Sequence, residues 1–191
     1  MSFIINAYRY SGFTGLLDDY GSAKTAYSVR WLNSSYSGAL MRIRRSSDNA
    51  EKDFYPDSSN ELSMSSEDGA GTSLSSWIST DSGYVAVWYD QSGNGNDMTQ
   101  TTAGDQPRIV NAGSLETDPD NGVVALFCDG SGDEFDITTT YSVTQPAMVL
   151  HVLNRASTGI WSTGYGLNTG TNPHSFRWTT GADIYSRWGT S

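Results

Sequence analysis

The sequence predicts a mainly β domain, an antiparallel jelly-roll sandwich with a small N-terminal anchoring segment. Three observations lead there. Gly, Ser, Thr and Asn are abundant and aromatic residues reach 12%, while charged residues make up only 17%; such a mixture suits short strands and many turns better than helices. Short apolar or alternating runs recur between turn signals at intervals of about 8–12 residues, the rhythm of sandwiches. The segment YVAVWYDQSGNGNDMTQ, residues 84–100, sets an aromatic-rich strand directly before a loop of Gly, Asn and Asp, residues that tolerate positive φ or bond back to local amides.

In chain order, Phe3–Tyr10 forms an apolar and aromatic arm ended by Ser11-Gly12. Leu16, Leu17 and Tyr20 suit one helical turn, and Ala26–Trp31 alternates as a strand does. Residues 39–55 read as a hairpin: Ala39, Met41 and Ile43 alternate with Leu40, Arg42 and Arg44, Ser46–Asn49 supplies the turn, and Lys52–Tyr55 returns. Residues 56–72 are polar and Ser-rich, a loop. Ser73–Ser79 suits a short helix packed by Leu74, Trp77 and Ile78. In the 84–89 strand, Val85, Val87 and Tyr89 are expected on one face and Tyr84, Ala86 and Trp88 on the other. Further strands are expected at 107–111, 123–128, 134–138, 146–153, 158–163, 175–179 and 183–188. The run Ala147–Leu153 is apolar on both faces and suits a central strand.

The 191 residues divide into an arm, hairpin and anchoring segment over 1–80 and a sandwich over 81–191, with enough chain to bury a core without disulfides. The single Cys128 excludes an internal disulfide. A net charge of −10 opposes nucleic-acid binding, which needs a basic surface. The opening MSFIINAYRYSG lacks the basic and long apolar regions of a secretory signal. No apolar run is long enough for a membrane helix.

Several side-chain groups are candidate sites. Asp90, Asn94, Asn96 and Asp97 offer oxygen donors, yet the bidentate glutamate that ends a calcium loop is missing; a turn held by side-chain-to-backbone bonds fits the same residues, and no metal is expected. Asp129, Asp133, Glu134 and Asp136 form either a carboxylate group with chemistry or a solvated acidic loop. His151, in an apolar strand, suits a general acid or a hydrogen-bonded core residue. Trp88, Trp161 and Trp178 join the 90–97 residues as candidate carbohydrate contacts, with Tyr165, Tyr185 and Trp188 as further aromatic faces. Phe3, Ile4, Ile5, Tyr8 and Tyr10 of the arm, with the basic pair Arg42 and Arg44, are candidate partner contacts, the arm by strand addition.

Several stretches resemble the catalytic domain of α-L-arabinofuranosidase B. They are Ala26-Tyr27, Ser35–Gly38, Met41–Asp48 (MRIRRSSD), Trp88–Asn96 (WYDQSGNGN) with Thr99-Gln100, and Ala125–Phe127 with Asp129-Gly130. The resemblance covers about residues 25–155 and implies a concanavalin-A-like, or laminin-G-like, jelly roll. In that family a glutamate nucleophile follows the methionine matching Met148, whereas this chain has Val149. The family also carries adjacent cysteines after the Asp-Gly step, and here Ser131-Gly132 follows. A retaining glycosidase needs two carboxyls about 5–5.5 Å apart, so these departures imply a protein without enzymatic activity and with no catalytic residue. The arm, hairpin and YDQSGNGN stretch together also resemble structural proteins of tailed bacteriophages. That likeness implies a homo-oligomeric decoration or fibre protein on the virion surface. It would contact other capsid or tail proteins, grip surface polysaccharide weakly, and need no cofactor, membrane or nucleic acid. The competing implication is a glycoside hydrolase acting on arabinofuranosides.

Overall fold

The computed structural model describes residues 13–137 together with the strands at 161–166 and 175–179. After a short helix α1 (Leu16–Asp19), the chain forms a hairpin of β1 (Met41–Arg45) and β2 (Glu51–Phe54), then a second helix α2 (Leu74–Ile78). The strands β3 (Gly83–Trp88), β4 (Met98–Thr99), β5 (Arg108–Asn111), β6 (Ser114–Leu115), β7 (Glu134–Ile137), β8 (Trp161–Gly166) and β9 (Ser175–Thr179) follow. All pair antiparallel in one sheet, in the order β2-β1-β3-β4-β7-β9-β8. β5 pairs with β3 at Gly83-Tyr84, beyond the Val87-Trp88 stretch that holds β4, and β6 pairs with β5. The sheet therefore runs across residue 80, with the hairpin laid directly on β3.

Local chemistry accounts for the two best-formed elements. The hairpin turns at Asn49, whose φ of 57° is a conformation Asn tolerates. Asp48 accepts the Ala50 amide, and the Arg45 guanidinium grips both Asp48 oxygens. Helix α2 is capped by Ser73, whose hydroxyl accepts the Ser76 amide at 3.2 Å. Its Leu74, Trp77 and Ile78 fall at i, i+3 and i+4, so one face enters the core. There Trp77 meets Phe54 with ring centroids 5.3 Å apart. Leu40, Met41, Ile43, Leu62, Val85, Met98, Ile109, Val110, Phe135 and Ile137 complete this core. Gly83 lets β1 and β3 close up, since a Cβ there would lie 2.9 Å from Ile43 Cγ2.

The structure departs from the sequence expectations in four places. The alternation expected over 84–89 is broken by a bulge: Arg42 pairs with Val87 but Ile43 with Val85, leaving Ala86 as the extra residue. Val85 and Trp88 thus both pack toward the core. Residues 26–31 form only the single bridge Arg30–Glu61, while the Ala26 amide and the Ser28 and Arg30 carbonyls bond to side chains of Trp88, Asp90 and Gln91. Residues 123–128 form isolated bridges from Val124 to Thr117 and from Phe127 to Arg108 instead of a strand. The two-residue strands β4 and β6 are too short to leave a periodic signal. The strands expected at 146–153 and 183–188 lie outside the described residues.

Candidate functional site

At the end of β3 the chain passes into residues 90–97, where Asp90, Gln91 and Asn96 are buried and Asn94 is exposed. Asp90 is 4% exposed. Its Oδ1 accepts the amides of Ala26 and Ser92 at 2.9 Å each, and its Oδ2 accepts the Asn96 amide at 3.0 Å and the Ser92 hydroxyl at 2.8 Å. The Asp90 amide donates to Asp97 Oδ1 at 2.9 Å. Asn94 and Asn96 donate their side-chain amides to Lys24 O, and Asn94 also to Ala23 O. Gln91 is fully buried; its Nε2 donates to Arg30 O at 2.9 Å while its Oε1 accepts the Leu32 amide at 2.7 Å. The loop is a clasp for residues 23–32. Asp90, Asn94, Asn96 and Asp97, the candidate carbohydrate contacts, make these bonds within the protein, and Asn94 remains exposed.

Trp88 is likewise drawn inward. Its Nε1 donates to Ser28 O at 3.1 Å, and its ring lies between Tyr27 and Phe135 at 5.9 and 6.1 Å. Arg44, expected to meet a partner, is buried. Its guanidinium donates to Gln106, Asn49 and Ala103 O, and it stacks 4.9 Å above the Tyr84 ring. Trp161 and Trp178 stand at the first position of β8 and the fourth of β9, with Trp178 registered against Ser162. Phe3, Ile4, Ile5, Tyr8, Tyr10, Val149 and His151 lie outside the described residues.

Two groups of ionisable side chains remain. On the sheet face turned away from the core, Arg42 grips Asp53 with Nε to Oδ1 at 2.8 Å and Nη2 to Oδ2 at 2.9 Å. The Tyr89 hydroxyl donates to the same Oδ1 at 2.7 Å. Burial pushes the Asp53 carboxyl up, but the bonds from Arg42 and Tyr89 outweigh it and hold the group below the usual carboxylate range. The adjoining Tyr36 phenol is pushed to about 12, first by burial and then by Asp97 and Asp90. Sequence inspection missed this group, although a register fixed by the Ser46–Asn49 turn sets Arg42 opposite Asp53.

In the acidic stretch, the outcome is divided. Asp133 is 5% exposed and accepts the Asp129 amide, whereas Glu134 and Asp136 alternate along β7 with the core residues Phe135 and Ile137. Among the described residues no three acidic, His or Cys side chains are grouped to hold a metal ion. Burial, opposed by the Asp129 amide and reinforced by the Asp129 and Asp105 charges, raises the Asp133 carboxyl to about 6. The folded protein thus keeps a proton there that the unfolded chain releases near 3.8. Stability from this group is complete below pH 4 and falls as pH rises through 6. Asp133→Asn, whose amide oxygen still accepts the Asp129 N–H, is expected to match the parent at pH 4 and to exceed it at pH 8 by on the order of 1–3 kcal/mol. Thermal unfolding at the two pH values checks this, and a parent more stable than the variant at pH 8 contradicts it.

Two surface hollows border other segments. One is lined by residues 13–16, 30–32 and 59–61, the other by 56–58, Ser65 and Glu67. In comparison with known families, residues 19–160 match the family model described as alpha-L-arabinofuranosidase B, catalytic. Comparison with curated proteins and with solved structures returned no match.

Proposed function

Because the chain belongs to the family of α-L-arabinofuranosidase B catalytic domains, we propose that it acts on polysaccharides bearing arabinofuranosyl groups, as a glycoside hydrolase of that type. The observation that carries this proposal is the extent of the match, which takes in every strand from β1 to β7. The antiparallel sheet is then one layer of a concanavalin-A-like jelly roll. Hydrolysis of a glycosidic bond needs one carboxyl that arrives protonated and a second that is ionised. Asp133, whose carboxyl burial raises to about 6, supports the protonated role. Because Asp133 is buried, the 129–133 loop must open before a sugar oxygen reaches it.

One residue favours a second proposal. Val149 stands where the family resemblance puts the nucleophile, and valine has neither a proton nor an electron pair to give. A domain that keeps the sugar-directed shape without that group holds the glycan and leaves it intact. In this second proposal the chain is a non-enzymatic surface protein of a tailed-phage particle, set among other coat or tail proteins. Weak single sites would gain strength from several copies.

One experiment separates the two. The purified protein is incubated with a polysaccharide panel that includes arabinan and bacterial surface glycans, and both retention and released sugar are scored. Release of arabinose is the expected result for the hydrolase. Retention without release replaces it with the glycan-holding surface protein. Neither retention nor release rejects both.

A further inference from the structure

The face of β1 and β2 that carries Arg42 and Asp53 shows a construction that stability alone does not explain. A half-exposed ion pair contributes little to folding, and here the side chains of Arg42 and Asp53 remain 40% and 35% exposed. Yet the pair is bidentate, and Tyr89 adds a third bond to it. Two of the guanidinium's five N–H bonds are spent on Asp53. Among the described residues no other acceptor takes the rest. Asp53 Oδ2 receives one bond where a carboxylate oxygen has room for two. Donors and an acceptor therefore stand side by side, in a fixed plane, at the surface.

The surroundings narrow what fits. The charges of Arg42 and Asp53 cancel, while Asp97 and Asp90 act on the neighbouring Tyr36 and Glu51 acts on Arg42. With a net charge of −10 over the chain, an anionic ligand is repelled. Tyr89 and Tyr36 are half-buried; the Tyr89 hydroxyl on Asp53 sets its ring beside the pair, and the Tyr36 hydroxyl is anchored to Ala39 O at 2.9 Å. A ring face beside a donor–acceptor pair matches a neutral sugar, with C–H groups on one side and adjacent hydroxyls at its edge.

We propose that Arg42, Asp53 and Tyr89 form a subsite for a neutral sugar unit of a polysaccharide, in which Arg42 and Asp53 hold two adjacent hydroxyl groups and the tyrosine rings pack on the sugar's C–H face. The proposal rests on the glycan-directed function above and assigns a place where the chain is held, separate from the Asp129–Asp133 pair.

The test uses the full chain in native affinity gels cast with arabinan, and in parallel with galactan and mannan. The double variant R42Q/D53N removes both charges while keeping hydrogen-bonding side chains, and Y89F removes a single hydroxyl. Retardation of R42Q/D53N is expected to weaken about tenfold and that of Y89F about threefold. Both should keep the parent's unfolding curve and its elution volume in gel filtration. Should R42Q/D53N fail to fold, Y89F carries the test. Retardation of the variants equal to the parent's overturns the subsite and leaves the glycan-directed function standing. A changed elution volume with unchanged retardation overturns the subsite in favour of a protein–protein contact at Arg42. A parent that no gel retards rejects glycan holding and the subsite with it.

Discussion

Replacing Asp90 with alanine is expected to destabilise the protein by about 3–5 kcal/mol, and at roughly 2–4 °C per kcal/mol for a chain of this size to lower the melting temperature by about 10 °C. The carboxylate accepts from Ala26, Ser92 and Asn96 amides and from the Ser92 hydroxyl, and alanine offers none of these donors a replacement. Each buried donor left without an acceptor costs about 1–3 kcal/mol. The sum falls short of four full penalties because Ser92 is half-buried and water reaches it. The effect is on folding and not on chemistry. Thermal unfolding alongside the polysaccharide assay checks it. An unchanged melting temperature with loss of sugar release or retention would make Asp90 a ligand contact and refute its structural role.

Gln91→Leu is expected to cost about 2–4 kcal/mol, although leucine nearly matches glutamine in volume and is apolar in a fully buried position. Shape is preserved, so the loss isolates the polar contacts. The Leu32 amide loses its acceptor and Arg30 O its donor, and no neighbouring strand stands ready to take them, since residues 26–31 form only the Arg30–Glu61 bridge. Urea unfolding measures the change. Stability within about 0.5 kcal/mol of the parent would mean that residues 28–32 are held by something other than this amide.

The elements that the sequence announces are those whose causes are local. The hairpin is legible because Asp48 and Asn49 make a turn within their own neighbourhood. Helix α2 is legible because Ser73 caps it and Leu74, Trp77 and Ile78 share one face. The YDQSGNGN turn is legible for the same reason, since Asp90 and Ser92 bond within a few residues. What stays hidden depends on contacts between distant segments. Residues 26–31 alternate as a strand does, but their partners are the backbone at 60–62 and side chains 60 or more positions away, and no strand pairs along them. Gln91 gives no sign of burial, because glutamine is usually exposed. The bulge at Ala86 comes from pairing with β1, which periodicity within β3 does not carry. The Arg42–Asp53–Tyr89 group needs the hairpin register and the end of β3 together. The bonds from Asp90, Asn94 and Asn96 to residues 23–26 likewise join distant segments, which the composition of the loop does not carry.

The clasp at 90–97 also bears on how such a chain diverges. Its inner side is fixed by hydrogen bonds from Asp90, Gln91, Asn94 and Asn96. Its outer side has open space at Gly93 and Gly95, but their φ angles of 86° and 70° penalise any side chain placed there. Drift is thus restrained from within by bonding and from without by backbone geometry. A segment restrained on both sides accepts few substitutions, by its own architecture and whatever surrounds it. The loop thus sets its own tolerance to change, independently of the chemistry carried by the rest of the fold.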